Sequence, residues 1–456
     1  MRIGIIGAGS GGYVAALRAA QLGAQVTLFE EKWIGGTCLN VGCIPTKALI
    51  AGLHNARIAR ESAMLGVEAD NIRINLTTLQ KHKATVVSQN VKGIEYLLGK
   101  RGVKVVAERG TLSPGKKIVT PTGEFEFDKI IIATGSKPAM LPGIKVDGSY
   151  IMTSDEMLDV SEPPKTMLIV GGGVIGLEFA GIMSELGTKV TVVELLDRLL
   201  PQEDTECSRA AQKFVAKHNI EALTQTKVTS LFRDGTDIEA TIEHGTNKEV
   251  RRFSKALMSV GRAPNLDENA LAMCGINFDR KGIKVDEFMQ TNVEGIYAIG
   301  DCIGGYMLAH VAYAHAKVAV SHALGEEEEP LPMSYDAIPR VTFTDPEIAA
   351  CGLPDYLLEE KGINVTWSKF SYMASGRAKA QGIKDGYFKI GVDDEGIIIS
   401  AIIVGEGAGE MIAFFSQAIT FQTSIYELEE VIIAHPTMSE MCLEVVEVAA
   451  GHPLHS

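Results

Sequence analysis

The chain opens on an apolar run at residues 3–6, breaks at a glycine cluster, and then places apolar residues at helical spacing up to a Leu-Gly stop. A second apolar run, rich in β-branched residues, follows and ends at Glu30. Residues 3–30, IGIIGAGSGGYVAALRAAQLGAQVTLFE, therefore read as strand, glycine turn, amphipathic helix and strand. The pattern is repeated at 168–194 as LIVGGGVIGLEFAGIMSELGTKVTVVE. From first glycine to closing glutamate is 23 positions in both copies (30 minus 7, 194 minus 171). Two such βαβ units predict an α/β protein with parallel sheets. Beyond residue 336 the pattern changes: YFKIGV and GIIISAIIVG read as strands, with two helices after them, which predicts an α+β C-terminal domain.

The glycines sit where a dinucleotide needs them. Gly7, Gly9 and Gly12 in the first unit match Gly171, Gly173 and Gly176 in the second. The first of each trio allows a tight turn, the second lets a pyrophosphate approach the backbone, and the third lets helix and strand pack closely. Phosphates would then lie on a helix N-terminus, where unpaired N–H groups and the dipole favour anions. A single trio could be an ordinary turn; two complete units argue for two dinucleotide sites. Glu30 and Glu194 end the second strands and can accept bonds from ribose hydroxyls. Glu194 would repel a 2′-phosphate, so the second site is expected to take NAD rather than NADP, although Arg198 is near.

Directly after the first unit comes GGTCLNVGCIPTKAL, residues 35–49. In a regular helix, residues five apart such as Cys38 and Cys43 are separated by about 7.5 Å of rise and roughly 140° of rotation. A disulfide needs Cα atoms about 4.4–6.8 Å apart, so the backbone must be distorted between them, and Gly42 gives that freedom. Pro45 suits a first helical turn, and Lys47 stands one turn after Cys43, where its charge would favour a thiolate. A structural bridge does not suit a reducing compartment, and a zinc site would want further Cys or His nearby. The pair points to redox chemistry.

Composition narrows the setting. A formal charge of −14 argues against a phosphate-backbone binder, which would need a basic face, so no nucleic-acid partner is expected. No segment reads as a membrane span or a secretory signal, and no membrane association is expected. Of seven cysteines, Cys207, Cys274, Cys302, Cys351 and Cys442 are isolated and are expected to be buried, inert thiols; a cytoplasmic location follows. No metal site is expected. The acidic run GEEEEPLP at 325–332 reads as a solvated loop.

The stretch GGTCLNVGCIPTK resembles the active-site segment of the pyridine-nucleotide disulfide oxidoreductases, and the resemblance runs through the whole chain. ATGS at 133–136, SVGRAPN at 259–265, GIYAIGD at 295–301 and HPTMSE at 435–440 are similar to further segments of that family. The stretches GYVAALRAAQLG and SGRAKAQGIKDGYFKI, residues 408–412 and Met438 resemble its lipoamide-oxidising, NAD-dependent members in particular. The resemblance implies FAD and NAD as cofactors. It implies that Cys43 faces the flavin, that Cys38 exchanges with substrate, and that Lys47 contacts the flavin and pairs with Glu178. Glu178 taken alone reads as a helix-surface carboxylate.

The FAD contacts implied are Gly7, Gly9, Gly11, Gly12, Glu30, Gly36, Thr37, Cys38, Lys47, Gly110, Ala133, Thr134, Gly135, Ser136, Gly300, Asp301, Met307, Leu308, Ala309 and His310. The NAD contacts implied are Gly171, Gly173, Val174, Ile175, Gly176, Glu178, Glu194, Val228 and Gly261. Residues 311–317, VAYAHAK, depart from the Glu-rich run usual in the family. His435 directly precedes a helix, a rigid place for a base, and the resemblance makes it the proton acceptor, oriented by Glu440 and supplied across a homodimer. Thr437 and Glu440 also have capping-box spacing.

The expected organisation is an FAD domain at 1–145 and 266–335, an NAD domain at 146–265, and a dimerisation domain at 336–456. The expected fold is two Rossmann-like domains plus the α+β domain. The function implied is oxidation of protein-bound dihydrolipoyl groups with reduction of NAD. The lipoyl carriers of 2-oxoacid dehydrogenase or glycine cleavage systems are the implied partners, as separate proteins because no lipoyl segment precedes residue 1. The alternatives are an NAD(P)H-dependent reductase of another disulfide, or a flavoprotein with a structural role.

Overall fold

The computed structural model describes residues 1–326 and 331–455, so part of the acidic run, 327–330, lies outside the described residues. Contacts divide the chain into two units. The first comprises Met1–Leu49, Thr77–Ala139 and Gly261–Met333; the second comprises Ile50–Leu76, Met140–Val260 and Ser334–Ser456.

In the first unit the predicted strands form a five-stranded parallel sheet. Its order is Ile296–Ala298, Lys129–Ile132, Arg2–Ile6, Gln25–Phe29, Lys104–Val106. Strands covered on both faces lose alternation and become continuously apolar, which is how residues 3–6 and 130–132 read. One face is covered by the helices Ser10–Gln21 and Ala309–Leu324, whose buried positions are largely alanine (Ala15, Ala16, Ala19, Ala316, Ala319, Ala323). The other face packs against Leu112 and Ile118 of a three-stranded antiparallel sheet. The chain leaves Arg2–Ile6 towards one side of the sheet and later returns on the other. The gap between Arg2–Ile6 and Lys129–Ile132 is thus the topological switch point, where doubly wound folds hold ligands.

The second unit contains the same design. A parallel sheet in the order Glu221–Leu223, Lys189–Val193, Thr166–Val170, Lys255–Met258, Ile151–Met152 carries the second βαβ unit. Arg2 pairs with Gln25, and Thr166 with Lys189, so the repeat read along the chain is also a repeat in register. A separate antiparallel sheet, Arg340–Thr342, Ile348–Gly352, Ile398–Val404, Tyr387–Val392, Thr366–Ser371, shares a core with the helices Ala408–Thr420 and Glu440–Ala450. That is the expected α+β region.

Two sequence expectations are adjusted. Residues 261–265 belong to the first unit, because Arg262–Pro264 pairs antiparallel with Ser136–Pro138. The helical stretch Gly36–Leu65 is long enough, with mean hydropathy 1.2, to pass as a membrane span by composition, where none was expected. It is broken at Gly42, and 33% of its most apolar window is buried.

Candidate functional site

The two glycine loops are built alike. A Cβ on Gly7 (φ +98°) would stand 2.3 Å from the Ala133 carbonyl, and one on Gly171 (φ +112°) 2.3 Å from that of Ser259. A Cβ on Gly12 would reach 1.8 Å from the Gly7 carbonyl, and on Gly176 2.0 Å from that of Gly171. The outer glycines are therefore required by the protein's own packing across each switch point. The middle ones are not. Gly9 and Gly173 have ordinary φ values, −68° and −81°, with open space beside Gly173 and only Gly36 Cα, at 3.9 Å, beside Gly9. Both cap helices of twelve residues. Room left unused at a helix N-terminus fits a pyrophosphate, so the residues present fit a dinucleotide in each unit.

Glu30 and Glu194, expected from the sequence to meet ribose hydroxyls, accept backbone amides in the structure. Glu30 accepts the amides of Ala8 (2.8 Å), Lys32 (2.8 Å) and Trp33 (3.1 Å), and Glu194 those of Gly172 (2.7 Å) and Leu196 (2.8 Å). Each carboxylate thus braces its glycine loop. Arg198, the residue that complicated the NAD reading, is turned to the carbonyls of Pro201 and Glu203, 3.2 Å each. Val174 and Ile175 open the second glycine helix; Val228 is buried at the start of the strand Thr226–Asp234.

Within the first unit, four of the predicted flavin residues, Thr134, Gly135, Ser136 and Asp301, are tied together through Arg262 and Asn265. Thr134 donates to the Asn265 carbonyl (2.7 Å), and Asn265 returns a bond to the Gly135 carbonyl (2.9 Å). Ser136 donates to the Asp301 carboxylate and accepts from Arg262 Nε (2.7 Å). Segments more than a hundred residues apart are so joined at the carboxyl ends of neighbouring strands. Arg262 and Asn265 were not singled out in the sequence, although both lie in the quoted SVGRAPN. Gly261, expected to touch NAD, stands in the first unit with φ +105° and open space beside it. Gly110 lacks a side chain because a Cβ would come within 2.9 Å of Phe29 and Ile118. Met307, Leu308 and Ala309 are half-buried at the start of Ala309–Leu324, and His310 is exposed. Gly11 is buried against Ile299.

The cysteine segment docks on the first glycine loop. The Gly35 amide donates to the Ala8 carbonyl (2.9 Å), and a Cβ on Gly36 would stand 2.5 Å from Gly9 Cα. A short helix, Gly36–Val41, holds Thr37 and Cys38 and ends at Gly42; a second, Cys43–Glu61, begins at once. The distortion expected between the cysteines is this break. The two are unbridged here, and their thiols are in hydrogen-bond contact. That bond holds the Cys38 thiol well above the usual range, with burial adding to it; the Lys47 ammonium pulls the other way. Cys43 is the exposed member and Cys38 the half-buried one.

Other readings need correcting. Glu178 is not a surface carboxylate: it is 6% exposed and accepts the Phe343 amide at 3.2 Å. Its helix, Val174–Glu185, is covered on several sides, which a one-sided polar reading could not reveal. The Thr437–Glu440 capping box forms only by half. Glu440 accepts the Thr437 amide (2.7 Å), but the Thr437 hydroxyl donates to the Ala434 carbonyl, and the helix starts at Glu440 itself. The other Glu440 oxygen meets His435 Nδ1 at 2.7 Å. His435, 81% exposed, is no satisfied core histidine, and its imidazole is fixed by one carboxylate. Burial works to raise the Glu440 pKa, yet the bonds from Thr437 and His435 hold it below the usual range. Four of the five isolated cysteines are buried, whereas Cys274 is half-exposed.

The chain was compared with known proteins. It is 37% identical over 468 residues to a dihydrolipoyl dehydrogenase of Bacillus subtilis (strain 168), covering 99% of this chain and 98% of that one. It is 37% identical over 457 residues to a dihydrolipoyl dehydrogenase of Geobacillus stearothermophilus, covering 99% and 96%. The crystal structure of LpdA from Mycobacterium tuberculosis superposes with a TM-score of 0.91 at 30% identity, covering 98% of this chain and 99% of that one. Residues 338–446 match the dimerisation domain of the pyridine nucleotide-disulphide oxidoreductases. Residues 1–316, which hold both glycine loops and the cysteine pair between two helices, match that family's main domain. With that match and relatives of this likeness along its length, the chain belongs to the pyridine nucleotide-disulphide oxidoreductase family.

Proposed function

We propose that the protein is an NAD-dependent dihydrolipoyl dehydrogenase, an FAD enzyme that works as a homodimer. Its reductant is the dihydrolipoyl group of a carrier protein of a 2-oxoacid dehydrogenase or glycine cleavage system, in a reducing, cytoplasmic setting. The observation that carries the reading is the cysteine pair seated on the first dinucleotide loop through the Gly36 and Gly9 backbones.

The residues that would hold FAD are the first glycine loop with Glu30, the 133–136 loop, and Gly300 with Asp301; the second loop with Glu194 would hold NAD. FAD, when bound, supplies a two-electron relay between the thiols and the nicotinamide. The protein's own residues handle the sulfur and proton chemistry. His435, oriented by Glu440, accepts the proton of one substrate thiol. The thiolate attacks Cys38 of the Cys38–Cys43 disulfide, breaking that bond and forming a mixed disulfide. The second substrate thiol displaces Cys38, closing the substrate's own disulfide and leaving both cysteines reduced. Lys47, one turn after Cys43, favours the anionic form of the pair. Glu194, with Arg198 turned to backbone carbonyls, suits a 2′-hydroxyl rather than a 2′-phosphate.

The test is turnover of free dihydrolipoamide with NAD by the flavin-loaded protein, with Cys38→Ser and Cys43→Ser beside it. Both variants are expected to lose dithiol turnover. Only Cys43→Ser should also lose the long-wavelength thiolate–flavin absorption of the reduced protein. Wild-type protein that ignores dihydrolipoamide would refute the substrate, and turnover by either variant would refute the mechanism.

A further inference from the structure

The departure at 311–317 puts a histidine where it is hard to explain by packing. His315 lies on the inner face of Ala309–Leu324 among Val311, Ala312, Ala316 and Ala319, and it is 1% exposed. An imidazole so buried is costly unless its nitrogens are bonded. Its Nδ1 accepts the Gly300 amide at 3.1 Å, so the proton sits on Nε2 and the ring is neutral. Burial alone moves its pKa down to about 4, which keeps Nδ1 an acceptor at ordinary pH.

What that bond holds is a turn at the switch-point side of the sheet. Gly300 has φ +69°, and a Cβ there would stand 3.2 Å from the Ala312 Cβ, so the turn is pressed onto the helix one turn before His315. Asp301 follows at once, its carboxylate accepting from Ser136, which accepts from Arg262. Three loops, those after Arg2–Ile6, Lys129–Ile132 and Ile296–Ala298, converge at the carboxyl ends of adjacent strands, and Asp301 is the carboxylate on the third. A carboxylate is an acceptor only, which suits ligand hydroxyls.

We propose that His315 is a positioning residue of the first dinucleotide site: by accepting the Gly300 amide it fixes the Gly300 turn and so aims Asp301 at the hydroxyls of the bound flavin dinucleotide. The inference rests on the FAD reading above. Without the acceptor, the Gly300 amide would be buried and unpaired, a condition folded proteins avoid by moving the backbone. Asp301 would move with it.

The experiment measures the FAD dissociation constant of the full chain by recovery of flavin fluorescence, for wild type, His315→Leu, His315→Asn, Asp301→Ala and His315→Leu/Asp301→Ala. Asparagine can place its oxygen near the position of Nδ1; leucine keeps bulk without an acceptor. His315→Leu is expected to weaken FAD binding at least tenfold and His315→Asn less than threefold. The double variant should bind no more weakly than Asp301→Ala alone, because His315 acts through Asp301. Binding by His315→Leu equal to wild type, or additive losses in the double variant, would overturn the proposal. If His315→Leu does not fold, His315→Asn decides: a tenfold loss overturns the inference and near-wild-type binding supports it. Unchanged binding by Asp301→Ala would instead sink the FAD reading at this loop, a separate failure.

Discussion

At the scale of single residues, Gly42 shows how one missing side chain sets the chemistry. It ends one helix and leads directly into the next, and a Cβ there would stand 2.9 Å from the Thr37 carbonyl and 3.1 Å from Cys38 Cα. Those neighbours are backbone and cannot rotate away. Gly42→Ala is therefore expected to push Cys38 from Cys43, destabilise the fold by about 1–3 kcal/mol, and slow dithiol turnover. Urea unfolding and dihydrolipoamide kinetics check it; a variant equal to wild type in both would show that the close approach is unimportant. The spacing of the cysteines called for a break at this glycine, and the structure has one. Glu178 was not legible in the same way, since its burial comes from segments distant in sequence, among them Phe343.

At the scale of elements, the helix Thr205–Lys217 is anchored by a buried ion pair. Its cap residue Asp204, 1% exposed, accepts the amides of Glu206 (2.8 Å) and Asp355 (3.2 Å) and meets Lys389 Nζ at 3.3 Å. Lys389, in the strand Tyr387–Val392, also stands over the Trp367 ring at 3.7 Å. Lys389→Met would leave the Asp204 charge buried without its cation, and a loss of about 3–5 kcal/mol in urea unfolding is expected. Lys389→Met with Asp204→Asn should recover part of it, because the amide side chain can still cap the helix. A loss below about 1 kcal/mol in the single variant would mean that backbone amides alone satisfy Asp204. The helix and strand themselves follow from apolar spacing, but a pair 185 residues apart leaves no trace in either pattern.

At the scale of the whole molecule, the proposed homodimer makes a prediction about which chain supplies the base. If His435 serves the cysteine pair of the other copy, Cys38→Ser and His435→Gln chains are each inactive, yet a mixed dimer contains one intact site. Random re-pairing of equal amounts should then restore about a quarter of wild-type turnover, half the dimers being mixed and each having one working site of two. If base and thiols act within one chain, no mixture recovers activity. Dissociation and reassociation of the two variants, followed by dihydrolipoamide assays, separates these outcomes.

The sequence by itself determined whatever is local. The 23-residue spacing appears twice because strand, turn and helix geometry fixes the distance from first glycine to closing glutamate. The cysteine spacing, Gly42 and Lys47 were legible because each acts within one or two turns of its neighbour. Tertiary structure alone decided what lies across a switch point or between layers. It set Gly7 against Ala133 and tied Ser136 to Asp301 and Arg262. It also buried Glu178, and placed His315 on the Gly300 amide. Such pairs depend on how sheets and helices pack, and no periodicity along the chain constrains two residues that meet only after the elements between them have folded.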